Sequence, residues 1–115
     1  MAPTAAADAQ QDAQFDAHAA EAAALLKAMG HPQRLRVLCL LLDGEMTVGA
    51  LLARTASGQS ALSQHLAVLR AQGLVKTRRE GQAIHYSLAD KPVAGIIAIL
   101  RDCYCPPGGE SSPAR

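Results

Sequence analysis

The stretch "SGQSALSQHLAVLRAQG", residues 57–73, decides the fold. Its spacing is helical, yet its polar side carries small uncharged residues where a surface helix ordinarily carries Glu and Lys. On a wheel at about 100° per residue, Gln59, Arg70, Ser63, Ala67, Ser60 and Gln64 fall within one sector of about 140°. Leu62, Leu66 and Leu69 occupy the opposite side, with His65 and Val68 at the apolar flank. Such a face suits the major groove of DNA. Small residues permit close approach, and Gln and Ser both donate and accept hydrogen bonds to base edges and phosphates. The first turn offers N–H groups to a phosphate, and Arg70 closes the far end of the face.

Reading outward, "TVGALLART" (47–55) predicts a short helix before this one, with Thr47 as its N-cap. The break "ASG" separates the two. On the other side, "LVKTRREGQAIHYSLA" (74–89) predicts a β-hairpin turning at "REGQ", with Ile84, Tyr86 and Leu88 alternating inward. "PQRLRVLCLLLDG" (32–44) is an earlier helix, opened by Pro32 and stopped by Gly44. Its Leu35, Leu38, Cys39 and Leu42 recur at i, i+3, i+4 and i+7, which puts Cys39 on the buried stripe. A first helix is expected from about Asp16 to Met29, ended by Gly30. A last helix is expected over Lys91–Tyr104, with Val93, Ile96, Ile97, Leu100 and Tyr104 on one face and Pro106 and Pro107 stopping it. The fold class is therefore mainly α with a small β part: a winged helix–turn–helix of about five helices and one β-hairpin wing. Residues 16–105 form the DNA-binding and dimerisation domain. Residues 1–15, rich in Ala, Gln and Asp, are expected to be a disordered tail and 106–115 a flexible one.

Charge points to the same partner. Met46 to Arg79 contains no Asp or Glu, while Arg54, Arg70, Lys76, Arg78 and Arg79 are basic. The segment 1–26 is the reverse, with Asp8, Asp12, Asp16 and Glu21 and no Lys or Arg. The acid-free segment is a surface for a polyanion, and Lys76, Arg78 and Arg79 on the wing neutralise phosphates beside the helix. At 115 residues the chain buries a limited core alone, so a homodimer is expected. No run of 18 apolar residues and no basic start with an apolar stretch behind it occurs, so the reading is a cytoplasmic protein without a membrane partner. No Cys-x-x-Cys and no paired acid and base mark an enzyme, and no cofactor is implied.

The segments "LLKAMGHPQRLRVLCLLLDGEMTVGALLA" and "QSALSQHLAVLRAQGLVKTRREGQAIHYSLAD", with the terminal "YC", resemble the ArsR/SmtB family of dimeric repressors over roughly residues 22–105. The resemblance implies a recognition helix holding Gln59, Ser60, Ser63, Gln64 and His65, with Lys76, Arg78 and Arg79 in the wing. It also implies a dimer built by the first and last helices, and double-stranded operator DNA released on induction. One departure is Ser57-Gly58 where relatives carry Leu-Ser before "QSALSQHL", which trades a good N-cap for glycine.

Metal sites of that family are missing here. The third helix lacks the Cys-x-Cys of the arsenic type, and Lys91–Tyr104 contains no His. His18, His31, His65 and His85 lie on different elements without ligand spacing, and read as surface or capping residues. Three cysteines remain. Cys39 in the second helix, and a Cys after Tyr at the end of the last, resemble the branch that senses persulfides and other reactive sulfur, of the SqrR/BigR/HlyU type. By that resemblance Cys39 and Cys105 form a disulfide or polysulfide link within one subunit, with persulfide or polysulfide as inducer. On composition alone Cys39 reads first as a core thiol, and it is the resemblance that reverses this. Cys103 has no family counterpart, lies nearer the apolar stripe than Cys105, and stays open as a substitute partner for Cys39. An alternative is that Cys39, Cys103 and Cys105 together bind arsenite, antimonite or another thiophilic ion.

Overall fold

The computed structural model describes residues 5–89 and 91–104, in the order α1 (Ala5–Met29), α2 (Pro32–Leu41), β1 (Met46–Thr47), α3 (Val48–Arg54), α4 (Gln59–Ala71), β2 (Val75–Glu80), β3 (Ala83–Leu88) and α5 (Lys91–Tyr104). The helix–turn–helix is α3 and α4, and the wing is β2 with β3. Five helices and a hairpin stand where the sequence puts them, with two differences.

The first is α1, which begins at Ala5 rather than near Asp16, so the irregular segment expected over 1–15 is corrected from residue 5 onward. The stretch is dominated by Ala, the best helix former, and contains no Gly or Pro to stop a helix. Asp8 in its first turn complements the helix dipole. Among the described residues of α1, burial is confined to its far end, through Ala28 and Met29. The tail expected over 106–115 lies outside the described residues.

The second difference is β1. Met46 and Thr47 pair antiparallel with Tyr86 and His85, making a three-stranded sheet in the order β1-β3-β2. A strand of two residues shows no periodicity in the sequence. β2 and β3 pair from Val75↔Leu88 to Glu80↔Ala83 around a two-residue turn. Gly81 opens that turn at φ +62, a conformation that other residues rarely adopt. Ile84, placed inward by alternation, stands exposed near the wing tip, because the core ends below it.

Three helix ends have an identifiable cause. His31 caps α2, its Nδ1 accepting from the Gln33 N–H at 3.1 Å, with Pro32 just inside the helix. Thr47 caps α3 by accepting from the Ala50 N–H at 3.2 Å. The end of α4 is a Schellman motif: the Leu74 N–H donates to the Leu69 carbonyl at 2.9 Å and the Gly73 N–H to the Arg70 carbonyl at 3.0 Å. Gly73 takes φ +74 there, and Leu69 and Leu74 are both fully buried.

The core gathers Val37, Leu38, Leu51, Leu62, Leu69, Leu74 and Ile97, from α2, α3, α4, α5 and the turn after α4. In α2 the deepest residues are Val37, Leu38, Leu40 and Leu41, while Leu35, Cys39 and Leu42 are half-buried at the flank. The stripe is shifted because α2 is packed by α1, α4, α5 and β3, and its second half, Val37–Leu41, is apolar all round.

Candidate nucleic-acid interface and thiol site

The face of α4 opposite Leu62, Leu66 and Leu69 is open. Gln59, Ser60, Ser63, Gln64, Ala67 and Arg70 are all exposed on it. Gly58 stands at the N-cap without a side-chain hydrogen bond, and the first bond into the helix runs from the Leu62 N–H to the Gly58 carbonyl at 2.9 Å. The N–H groups of the first turn therefore have no capping side chain, which leaves that end suited to a phosphate.

His65 departs from the expectation. It is half-buried, its ring centroid lies 4.5 Å from that of His31, and its Nδ1 is buried without a partner among the described residues. Its place is the joint between α4 and the start of α2, beside the outward face rather than on it. Burial, then the charges of His31 and Arg34, hold its imidazole below the usual histidine range. A histidine depressed in the native state is protonated first in the unfolded chain, so stability falls as pH drops through the unfolded value of about 6.5. Between about pH 7 and pH 5.5, His65→Asn is expected to lose less melting temperature than the wild type. Equal losses in the two proteins would contradict this assignment.

The wing is less basic than its sequence. Lys76, Arg78 and Glu80 share one face of β2, and Arg79 lies on the other, opposite Ile84. Arg78 is engaged: it donates to Glu45 from both Nε and Nη2, and its Nη1 lies 3.3 Å from Glu80. His85 joins them, 3.6 Å from Glu80 and 3.9 Å from Glu45. The hydrogen bond to Arg78 holds the Glu45 carboxyl below its usual range. Arg78 thus shares its charge with two carboxylates, while Lys76 and Arg79 are exposed with no ion pair to an acid among the described residues. Sequence reasoning missed this because Glu45 and Glu80 sit one residue beyond either end of the acid-free stretch. Their position at its borders was the available signal.

The cysteines are arranged as follows. Cys39 is half-buried on the wall of a cavity of about 270 Å³ between α2 and α5. Pro32, Leu35 and Arg36 line it from α2, and Leu100, Arg101 and Tyr104 from α5. Cys103 is exposed and is not among the lining residues. Cys105 lies outside the described residues, directly after Tyr104. Among the described residues no three His, Cys, Asp or Glu side chains gather as a metal site, and the alternative set of Cys39, Cys103 and Cys105 extends beyond them. No helix among the described residues is long and apolar enough to cross a membrane.

A helix with an open face of small polar residues, set by a tight turn behind a shorter helix and followed at once by a wing, defines a winged helix–turn–helix regulator of transcription. The chain belongs to the arsR family of bacterial regulatory proteins, whose pattern matches residues 31–77. It is 48% identical to the transcriptional activator HlyU of Vibrio cholerae over 92 residues, covering 80% of this chain and 85% of that one. The solved structure of reduced HlyU superposes with a TM-score of 0.75 at 48% identity, covering 80% and 97%. The biofilm growth-associated repressor of Agrobacterium fabrum is 45% identical over 93 residues, covering 81% and 80%. A homodimeric winged helix–turn–helix DNA-binding domain from Mycobacterium bovis, 32% identical, superposes with a TM-score of 0.72, covering 78% and 83%. The chain is accordingly a DNA-binding transcriptional regulator rather than an enzyme.

Proposed function

We propose that this regulator is a cytoplasmic, dimeric repressor whose operator binding is released by reactive sulfur through a link between Cys39 and Cys105. The observation that carries the reading is the place of Cys39. It lies on a cavity wall shared with Tyr104, the residue that precedes Cys105. The chemistry balances without a cofactor. The Cys39 thiolate attacks the outer sulfur of a persulfide, the donor's S–S bond breaks, and the donor leaves as a thiolate, so that Cys39 carries the persulfide. The Cys105 thiolate then displaces hydrosulfide to give a disulfide. Alternatively, two protein persulfides condense to a trisulfide and release hydrogen sulfide. A direct disulfide requires Cα atoms about 4.4–6.8 Å apart, and inserted sulfur relaxes that requirement. A longer gap is therefore a way to answer sulfane sulfur and ignore peroxide.

Dimerisation accounts for the large apolar side chains left uncovered in one chain. Phe15 and Leu26 on α1, and Ile99 and Tyr104 on α5, are all more than half exposed. The Mycobacterium bovis relative is a homodimer, which supports a dimer here. Two recognition helices then meet half-sites about one helical turn apart on a pseudo-palindromic operator.

On DNA, Gln59, Ser60, Ser63, Gln64 and Arg70 read and position the groove, and Lys76 and Arg79 neutralise backbone phosphates. Gln64→Ala is expected to relax preference for operator over random DNA by about 1–3 kcal/mol, with non-specific binding unchanged. Lys76→Ala and Arg79→Ala are each expected to weaken both DNAs alike and to flatten the salt slope by about one. Arg78→Ala is expected to do less, because Glu45 and Glu80 already hold that charge. Fluorescence-anisotropy titrations across salt concentrations check the set. Equal loss on both DNAs from Gln64→Ala would contradict the division of roles.

A further inference from the structure

Cys39 lies on the wall of the cavity between α2 and α5. It is half-buried, and it lies in the last turn of α2, at the negative end of that helix. Both effects oppose the charged form that any thiol chemistry requires. Two cations share its cavity. Arg36 keeps its charge but is turned toward α3, its Nε donating to the Arg54 carbonyl at 3.2 Å. Arg101 reaches across from α5, and its Nη1 is anchored on Asp43 Oδ1 at 2.8 Å. Asp43 follows the end of α2, so the ion pair ties α5 to the turn just beyond Cys39. The Arg101 guanidinium is held in its charged form first by its hydrogen bond to Asp43, and then by the charges of Asp43, Cys39 and Asp102. Tyr104 is the remaining polar residue of the lining.

We propose that Arg101, anchored by Asp43, is the positioning residue of the Cys39 thiolate: it stabilises that thiolate and offsets the repulsion between it and an anionic sulfur donor entering the cavity. This rests on the reading of Cys39 as the reacting thiol. It adds a basis for donor selection. Inorganic polysulfides and carboxylate-bearing persulfides carry negative charge, whereas hydrogen peroxide is neutral and gains nothing from the guanidinium.

The test isolates Cys39 in the full chain with Cys103→Ser and Cys105→Ser, and compares two alkylating agents. In both, the thiolate displaces iodide from carbon, but iodoacetamide is neutral and iodoacetate is an anion. Near neutral pH, Arg101→Gln is expected to slow iodoacetamide about threefold, through loss of thiolate, and iodoacetate about tenfold. The ratio of anionic to neutral rates thus falls about threefold, and the pH–rate profile moves to higher pH. Arg101→Lys is expected to restore both readouts. In the Arg101 protein, added salt is expected to lower the same ratio through screening, which reads the effect without a variant at that position. A ratio unchanged by Arg101→Gln and by salt overturns the proposal. So does an equal slowing of both reagents that lysine fails to restore. Polysulfide treatment of the wild type, read by operator binding, is a separate arm. Indifference there alongside the expected alkylation ratios removes the sulfur-sensing reading and leaves the role of Arg101 standing.

Discussion

Cys39→Ser is expected to bind operator DNA as tightly as the wild type and to keep that affinity after polysulfide treatment. The wild type is expected to lose roughly 5- to 150-fold under the same treatment, the span of ordinary allosteric coupling energies. The serine hydroxyl replaces the thiol in a half-buried position on a cavity wall, where the change leaves neighbouring packing in place. Cys105→Ser is expected to behave the same way, and Cys103→Ser to respond as the wild type. Gel-shift titrations of reduced and treated samples decide the matter. A Cys39→Ser protein that still releases DNA on polysulfide removes Cys39 from the mechanism. Loss of response in Cys103→Ser, with retention in Cys105→Ser, moves the link to Cys103.

The largest effect on stability is expected from Leu69→Ala. Leu69 is fully buried at the inner face of the recognition helix, and its carbonyl closes the Schellman motif against Leu74. Removing its side chain takes apolar atoms from the middle of the core and leaves a cavity that rigid neighbours fill only in part. The expected cost is about 2–5 kcal/mol, a large share of the roughly 5–15 kcal/mol that stabilises a domain. Chemical denaturation of the dimer at fixed protein concentration measures it. A loss under about 0.5 kcal/mol would mean that α4 is not anchored as described. Because α4 also carries the DNA-facing residues, operator binding is expected to fall with stability, whereas Gln64→Ala separates the two.

What the sequence made legible follows from periodicity and from end signals. Leu62, Leu66 and Leu69 mark the inner face of α4, Thr47 and Pro32 mark helix starts, and Gly73 and Gly81 mark turns. Each is a local rule, and each holds here. The features that escaped are set by tertiary neighbours. β1 exists because β3 passes beside Met46 and Thr47, and nothing in two residues announces it. His65 falls at the apolar flank as the wheel puts it, but its ring contact with His31, far off in sequence, is not written in the helix. Arg78 shares its charge because Glu45 arrives across the sheet. The start of α1 was missed for another reason. A run of Ala and Gln without an apolar stripe satisfies helix propensity and disorder composition equally well. Cys39 was legible as a thiol on the buried stripe of α2, but its half-exposed place at the flank, the cavity beside it, and Arg101 across that cavity required the packing of α5 on α2.

The most direct test of the central claim is intact-mass spectrometry with peptide mapping. Reduced protein is exposed separately to polysulfide, peroxide and arsenite, and operator binding is measured on the same samples. The account predicts a link between Cys39 and Cys105 that carries added sulfur mass, formed by polysulfide and not by peroxide, and accompanied by loss of DNA binding. An arsenite adduct held by Cys39, Cys103 and Cys105 with loss of DNA binding, and no link on polysulfide, would contradict it.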